Sequence, residues 1–415
     1  MQLLDFIEQS PTAFHAVKNA ADLLKAAGAA YLPESQEWKV EPGKTYYTIR
    51  NASALIAFTV PEGAHAFRIF AAHADSPSFK LKENPELVTE GKYVRLNVER
   101  YGGMIYSTWL DRPLSVAGRV IVRRENGFAT RLVNIDRDLL LIPNVAIHMN
   151  REANEGFKMN PQTDLLPLFG GIEAKDRFMK LIAAEAGVEE DQIIGHDLFL
   201  YPRGRGTVWG ADNEFISAPR IDDQECAFAG LMGFLQAEKA KNISVLAIFD
   251  NEEVGSMSRQ GAASTFLSDT LTRISEGLGD TKSAYFSRIA ASYMISADNG
   301  HALHPNHPEK TDPSNRPVLN GGILLKYSAN QRYTTDGVSA AVFKEICRKA
   351  EVPYQIFFNR SDMLGGGTLG NISLTQVPAM TADIGLAQLA MHSAYETAGA
   401  KDEAYMERFV KELFS

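Results

Sequence analysis

Cysteine is nearly absent from this chain of 415 residues: there are 2, Cys226 and Cys347. Neither stands in a Cys-x-x-Cys or zinc-knuckle spacing, which argues against a disulfide framework and fits a reducing cytoplasm. A basic excess is missing too. With 42 Lys and Arg against 51 Asp and Glu, the net charge of −9 offers nothing to a phosphate backbone or an anionic membrane. No apolar run approaches the roughly 20 residues needed to cross a bilayer. The start, Met1-Gln-Leu-Leu-Asp5, lacks the basic opening and apolar stretch of a secretory signal. Internal repeats and low-complexity tracts are lacking as well. A cytoplasmic protein is expected, with neither nucleic acid nor membrane as partner.

The residues that are present can bury a large core: 45% are hydrophobic and 22% charged. At about 150 residues per domain, the length amounts to two to three domains. Residues 1 to 30 show helical apolar spacing, as two short amphipathic helices split at Ser10-Pro11-Thr12. Strand-like runs follow at Tyr46 to Ile49, Ser53 to Val60 and Ala66 to Ala72, the last running directly into His73-Ala-Asp75. From about 78 to 216 the texture is β-rich and irregular, with strands expected at Gly118 to Arg124, Ala129 to Val133, Leu139 to Ile142 and Asp197 to Tyr201, and a helix near Glu173 to Ala186. After Ala218-Pro219 the α/β texture returns: helices at Gln224 to Lys239, Gly337 to Ala350 and Ala404 to Phe414, and strands at Ile243 to Phe249, Ser292 to Ser296, Gly322 to Lys326 and Tyr354 to Phe358. The fold class expected is α/β, a mixed-sheet domain of residues 1–77 and 217–415 interrupted by a β-rich insert at 78–216.

Five segments place imidazole or carboxylate at or just after the ends of these strands: His73-Ala-Asp75, Asp222-Asp223, Glu252-Glu253, Asp298 and His392. Donors of this kind without thiolate suit zinc, manganese or cobalt. Each segment alone is weak, since a lone strand-end His is commonly structural and an acidic pair is commonly solvated. Phe249-Asp-Asn-Glu-Glu-Val-Gly255 is more specific, because its carboxylates follow a buried strand and leave from the sheet edge. Two adjacent carboxylates there repel unless a cation or a shared proton holds them.

Together with Ala71-Ala-His-Ala-Asp-Ser-Pro77, Ala218-Pro-Arg-Ile-Asp-Asp223, Ser296-Ala-Asp-Asn-Gly-His301, Lys326-Tyr-Ser-Ala-Asn-Gln-Arg-Tyr333 and Gln388-Leu-Ala-Met-His-Ser393, these segments resemble the aspartyl aminopeptidase family over nearly the whole chain. The resemblance implies a metallopeptidase domain with an inserted dimerisation domain, hydrolysing the N-terminal residue of short peptides, Asp or Glu foremost. It implies two divalent ions per subunit, zinc foremost, with manganese and cobalt as alternatives. His73 and Asp298 would hold one ion, Glu253 and His392 the other, and Asp222 would bridge; spacing alone leaves Asp222 and Asp223 equivalent. Glu252 would be the general base, with water activated between the ions. Asp75 would fix the His73 tautomer, and His301, Lys326 and Tyr333 would contact substrate. His148 would reach the active site of a neighbouring subunit, within dimers that assemble into a tetrahedral dodecamer.

Blander readings accompany several of these residues: a helix cap for Asp223, an edge-strand lysine for Lys326, a core tyrosine for Tyr333 and an ordinary strand-end histidine for His148. His304 and His307 read as structural or surface residues. One stretch departs from the family pattern, because Leu364-Gly365-Gly366 stands where Pro-Cys-Gly is usual, which bears on the acidic preference. The same loop spells Gly365-x-Gly367-x-x-Gly370, a formal dinucleotide fingerprint, yet it lacks the acidic residue about 20 positions on and the following βαβ unit. A quiet assembly scaffold on the peptidase fold and a related two-metal deacylase or carboxypeptidase are the rival functions.

Overall fold

Seven consecutive residues of Ile243–Phe249 are buried, as a strand covered on both sheet faces requires. In the computed structural model, which describes every residue except Lys239, this strand lies near the middle of a mixed sheet. The described strands run in the order Ala30–Tyr31, Lys44–Arg50, Ala54–Val60, Ile243–Phe249, Phe67–His73, Tyr293–Ala297, Met380–Gly385, Ile323–Lys326 and Tyr354–Phe357. The four from Ile243–Phe249 to Met380–Gly385 are mutually parallel, and their neighbours Ala54–Val60 and Ile323–Lys326 are antiparallel to them. Side chains alternate between two cores. Leu246 and Ile248 join Phe70 and Ala72 on one face under the helices Leu3–Gln9, Ala13–Ala26, Ile221–Gln236 and Asp402–Phe414. Val245, Ala247 and Phe249 join Ile69 and Ala71 on the other, under Phe266–Gly277. Helix Ile221–Gln236 lies so close to the sheet that a Cβ on Gly230 would collide with the Phe70 ring.

The chain divides into two units. The first comprises Met1–Asp75, Gly206–Met391 and Glu396–Ser415; the second comprises Ser76–Arg205 and His392–Tyr395. Besides the large sheet, the first unit holds a smaller one in the order Thr207–Trp209, Phe215–Ala218, Glu396–Gly399, Ala387–Leu389 and Gly300–His301. Within it Thr207–Trp209 pairs antiparallel with Phe215–Ala218. In the second unit the described strands order as Gly127–Asn134, Leu114–Arg124, Ile193–Pro202, Ser78–Thr89, Tyr93–Tyr101 and Leu168–Gly171 around an apolar core that includes Phe79, Val116, Val120, Phe178 and Leu198.

Three details differ from the sequence reading. Leu140, Leu141 and Ile142 form isolated bridges to Leu114, Leu168 and Leu110 rather than a strand, since each turns to a different partner. The helix expected from Gln224 runs Ile221–Gln236, with Asp222 and Asp223 in non-helical conformation; Lys239 lies outside the described residues. The helices Phe266–Gly277 and Lys282–Ala290 were not anticipated. Among the described residues no helix is long and apolar enough to cross a membrane.

Candidate metal centre

Three of the four parallel strands deliver acidic or imidazole groups at their carboxyl ends, where open α/β sheets build sites. His73 ends Phe67–His73, Asp298 follows Tyr293–Ala297, and the turn Glu252–Val254 follows Ile243–Phe249. Register aligns them, because His73 pairs with Phe249. The turn owes its shape to the residues beside the glutamates: Asn251 takes φ 61° and Gly255 φ 93°, left-handed values that Asn and Gly tolerate best. Asn251 is held further by Gln260, whose Nε2 donates to Asn251 Oδ1 at 2.7 Å.

His73 is 1% exposed. Its Nε2 stands 3.6 Å from Asp222 Oδ1, 3.9 Å from Asp298 Oδ1 and 4.0 Å from Glu252 Oε2. Donors bound to one ion at about 2.0–2.2 Å stand about 3–4 Å from one another. The ligand atoms of His73, Asp222 and Asp298 lie within 4.8 Å of one another, as do those of His73, Glu252 and Glu253. Nitrogen and oxygen donors without sulfur, at this spacing, fit a divalent transition ion.

The electrostatics point the same way. Burial foremost, then repulsion from neighbouring carboxylates, raises the carboxyl groups of Asp223, Glu253 and Asp298 and pushes Glu252 up to about 8, despite relief from His73 and, at Asp298, Lys326. Burial works against a charged His73, yet Asp222, Asp75, Asp223 and Glu252 hold its imidazole well above the ordinary range. One imidazolium cannot balance so many acids, whereas a cation among them can.

Asp75 does more than the sequence suggested. His73 Nδ1 lies 3.1 Å from the Asp75 carbonyl and 3.3 Å from its Oδ1, while the carboxylate accepts the backbone N–H of Glu252 at 3.1 Å and of Glu253 at 3.2 Å. Asp223 is not a helix cap: its Oδ2 accepts the His73 backbone N–H at 3.2 Å. Lys326 is not an edge lysine either, since its strand lies between two others; it is 2% exposed and donates to the Asn299 carbonyl at 2.9 Å. Its Nζ sits 5.5 Å from the ring centroid of buried Tyr333, whose hydroxyl accepts from Asn359 at 3.3 Å.

His301 is exposed and lines a cavity of about 490 Å³ with Phe357, Asn359, Leu364 and Gly366. His304 and His307, read from sequence as structural or surface, line it too. The fingerprint loop has no dinucleotide architecture, because the helix it enters, Leu369–Ser373, has 5 residues. In the second unit, His148 sits in an exposed turn. His392 also belongs to that unit, with Nδ1 hydrogen-bonded to the Gly103 carbonyl.

The family model for the aminopeptidase I zinc metalloproteases (M18) matches residues 6–414. A Clostridium acetobutylicum protein named "Probable M18 family aminopeptidase 2" is 48% identical over 423 residues, covering 100% of this chain and 98% of that protein. A Pseudomonas aeruginosa protein of the same name is 40% identical, covering 100% and 97%. Among solved structures, a chain of the Ape4 and Nbr1 complex matches with TM-score 0.96 at 36% identity over 99% of this chain and 84% of that one. The S. cerevisiae mApe1 dodecamer matches with TM-score 0.87 at 30% identity over 99% and 95%. With the fold, the acidic and imidazole cluster and these relatives in agreement, the chain belongs to the M18 aminopeptidase family and is a metal-dependent aminopeptidase, a hydrolase of peptide bonds.

Proposed function

We propose that this aminopeptidase releases the N-terminal residue of short peptides, Asp or Glu foremost, with two divalent ions per subunit, zinc as the native metal. The observation that carries the reading is the convergence of His73, Asp298, Glu252 and Glu253, from the carboxyl ends of parallel strands, with Asp222 at the start of Ile221–Gln236. His73 and Asp298 would hold one ion, Glu253 and His392 the other, and Asp222 would serve both. The hydrogen bond from His392 Nδ1 to Gly103 fixes its tautomer, so Nε2 is the nitrogen we assign to the metal. Such ions, when bound, acidify water and polarise the scissile carbonyl. Glu252 takes the proton of the attacking water and returns it to the departing amine. Asp75 holds His73 and the Glu252 backbone in place.

His301 would face the substrate's first side chain in the cavity; buried Tyr333 packs edge-on against the cavity-lining Phe357, with Lys326 over its ring adding a positive field for a carboxylate. Leu364, 88% exposed on the cavity wall, favours a range that extends to apolar residues. Residues 1–77 and 217–415 form the catalytic domain. Residues 78–216 pair subunits, so that His148 of one copy stabilises the carbonyl oxygen in another, within a dodecamer like that of the yeast relative. Both cysteines are free and buried, which suits a cytoplasmic location.

The test is hydrolysis of a panel of acidic, basic and apolar N-terminal aminoacyl peptides after chelation and after adding back zinc, manganese or cobalt. Fastest metal-dependent release of Asp or Glu is the expected result. Equal release of all residues would overturn the acidic preference, and no release with two ions bound would overturn the mechanism. His148→Ala should lower turnover with metals retained.

A further inference from the structure

The glycine-rich loop has a neighbour that no role above accounts for. Asp383, near the end of Met380–Gly385, is fully buried, and its two carboxylate oxygens serve different segments. Oδ2 accepts the backbone N–H of Thr334 and, at 2.6 Å, its hydroxyl; Oδ1 accepts the Thr368 hydroxyl at 2.6 Å. A Cβ on Gly370 would stand 2.8 Å from Oδ1 and 2.9 Å from Oδ2. The last glycine of the fingerprint is thus required by the approach of a carboxylate rather than a phosphate. At the other end of the loop, Asn359 is tied to the Tyr333 hydroxyl. The stretch 359–368 is therefore pinned at both ends against Tyr333-Thr334, and between the pins Met363, Leu364, Gly365 and Gly366 form part of the cavity wall.

We infer that Asp383 is a positioning residue for substrate selection: it fixes the loop 359–368 and Tyr333 at one separation and so sets which side chains the cavity accepts. A buried carboxylate is suited to this, because each charge-assisted hydrogen bond is short and directional and resists exchange for water. The inference rests on the aminopeptidase reading, in which the cavity receives the first side chain of the peptide.

The test compares Asp383→Asn, Thr368→Val and Thr368→Ser in the full-length, metal-loaded protein. The readouts are kcat and KM for peptides beginning with Asp, Leu and Lys, metal content, and hydrogen exchange of residues 359–368. Asp383→Asn replaces one acceptor oxygen with a donor facing a hydroxyl. It should raise KM for the preferred peptide roughly tenfold, with a smaller change in kcat, a narrower spread between peptides, faster exchange in the loop and unchanged metal content. Thr368→Val should share these effects, and Thr368→Ser, which keeps the hydroxyl, should behave as wild type. An altered melting temperature with unchanged KM, peptide spread and loop exchange would overturn the inference, as would selectivity lost only together with metal. If Asp383→Asn does not fold, the Thr368 pair decides by the same readouts. A wild-type protein that releases no residue would defeat the aminopeptidase reading instead, and loop exchange in the variants would still decide whether the clasp exists.

Discussion

Asp197, in the sheet of the second unit, and Glu252, on the turn after Ile243–Phe249, are both drawn away from water, yet they respond in opposite directions. Burial works against ionised Asp197, but Lys80 and Arg119, each 2.8 Å away, outweigh it and hold the carboxyl below its ordinary value. Around Glu252 the neighbours are mostly other acids, and its carboxyl is pushed up to about 8. In one region the chain balances its own charge. In the other the balance is left to an ion, and that imbalance marks a site where a merely structural carboxylate would not.

Breaking the acidic side of this contrast should have the largest effect. Glu252→Gln should cut turnover by about 10³-fold, within the range expected for a general base, while metal analysis still finds the ions. Turnover near wild type would remove Glu252 from the mechanism. His73→Ala should next empty the ion shared with Asp222 and Asp298, seen as a lower metal content in the purified protein; full content would mean that the cluster is not a ligand set.

Chelation sharpens the comparison through pH. The folded state of the metal-free protein holds a proton on Glu252 up to about 8, against an ordinary value of 4.5. The stabilisation this gives is complete below the ordinary value and is lost as pH rises through the folded one. The denaturant midpoint of chelated protein should therefore fall between about pH 4.5 and about pH 8, and added zinc should flatten the fall. Asp197 obeys the reverse rule: its contribution is present above the ordinary value of 3.8 and is lost only as pH falls through the lower folded value. Asp197→Asn should accordingly give the smallest effect, about 1 kcal/mol and a few degrees in melting temperature at neutral pH, with metal content unchanged.

Much of this was legible in the sequence because it depends on local patterns. Ile243 to Phe249 declared itself as an apolar run broken only by Ser244, and the acids after it declared themselves by leaving a buried strand. The helices Phe266–Gly277 and Lys282–Ala290 were less visible, as neither carries a long apolar stretch. What the sequence could not convey was long-range pairing. Asp75 reaches the amides of residues 252 and 253, and Asp383 reaches Thr334 and Thr368, across separations that no spacing rule encodes. Lys326 shows the converse. A lone lysine closing a short strand looks like an edge device, and only the order of strands reveals that it is interior.

The double grip of Asp75 has a kinematic consequence. One carboxylate lies against the imidazole of His73 and accepts the amides of Glu252 and Glu253, and the strands bearing these groups are bonded again where the Ala74 amide meets the Phe249 carbonyl at 3.0 Å. Thermal displacement of either strand end is thereby shared by both. Vibration becomes common-mode: the two strand ends drift together, and the spacing between His73 and the glutamates 252 and 253 varies less than the position of any one of them.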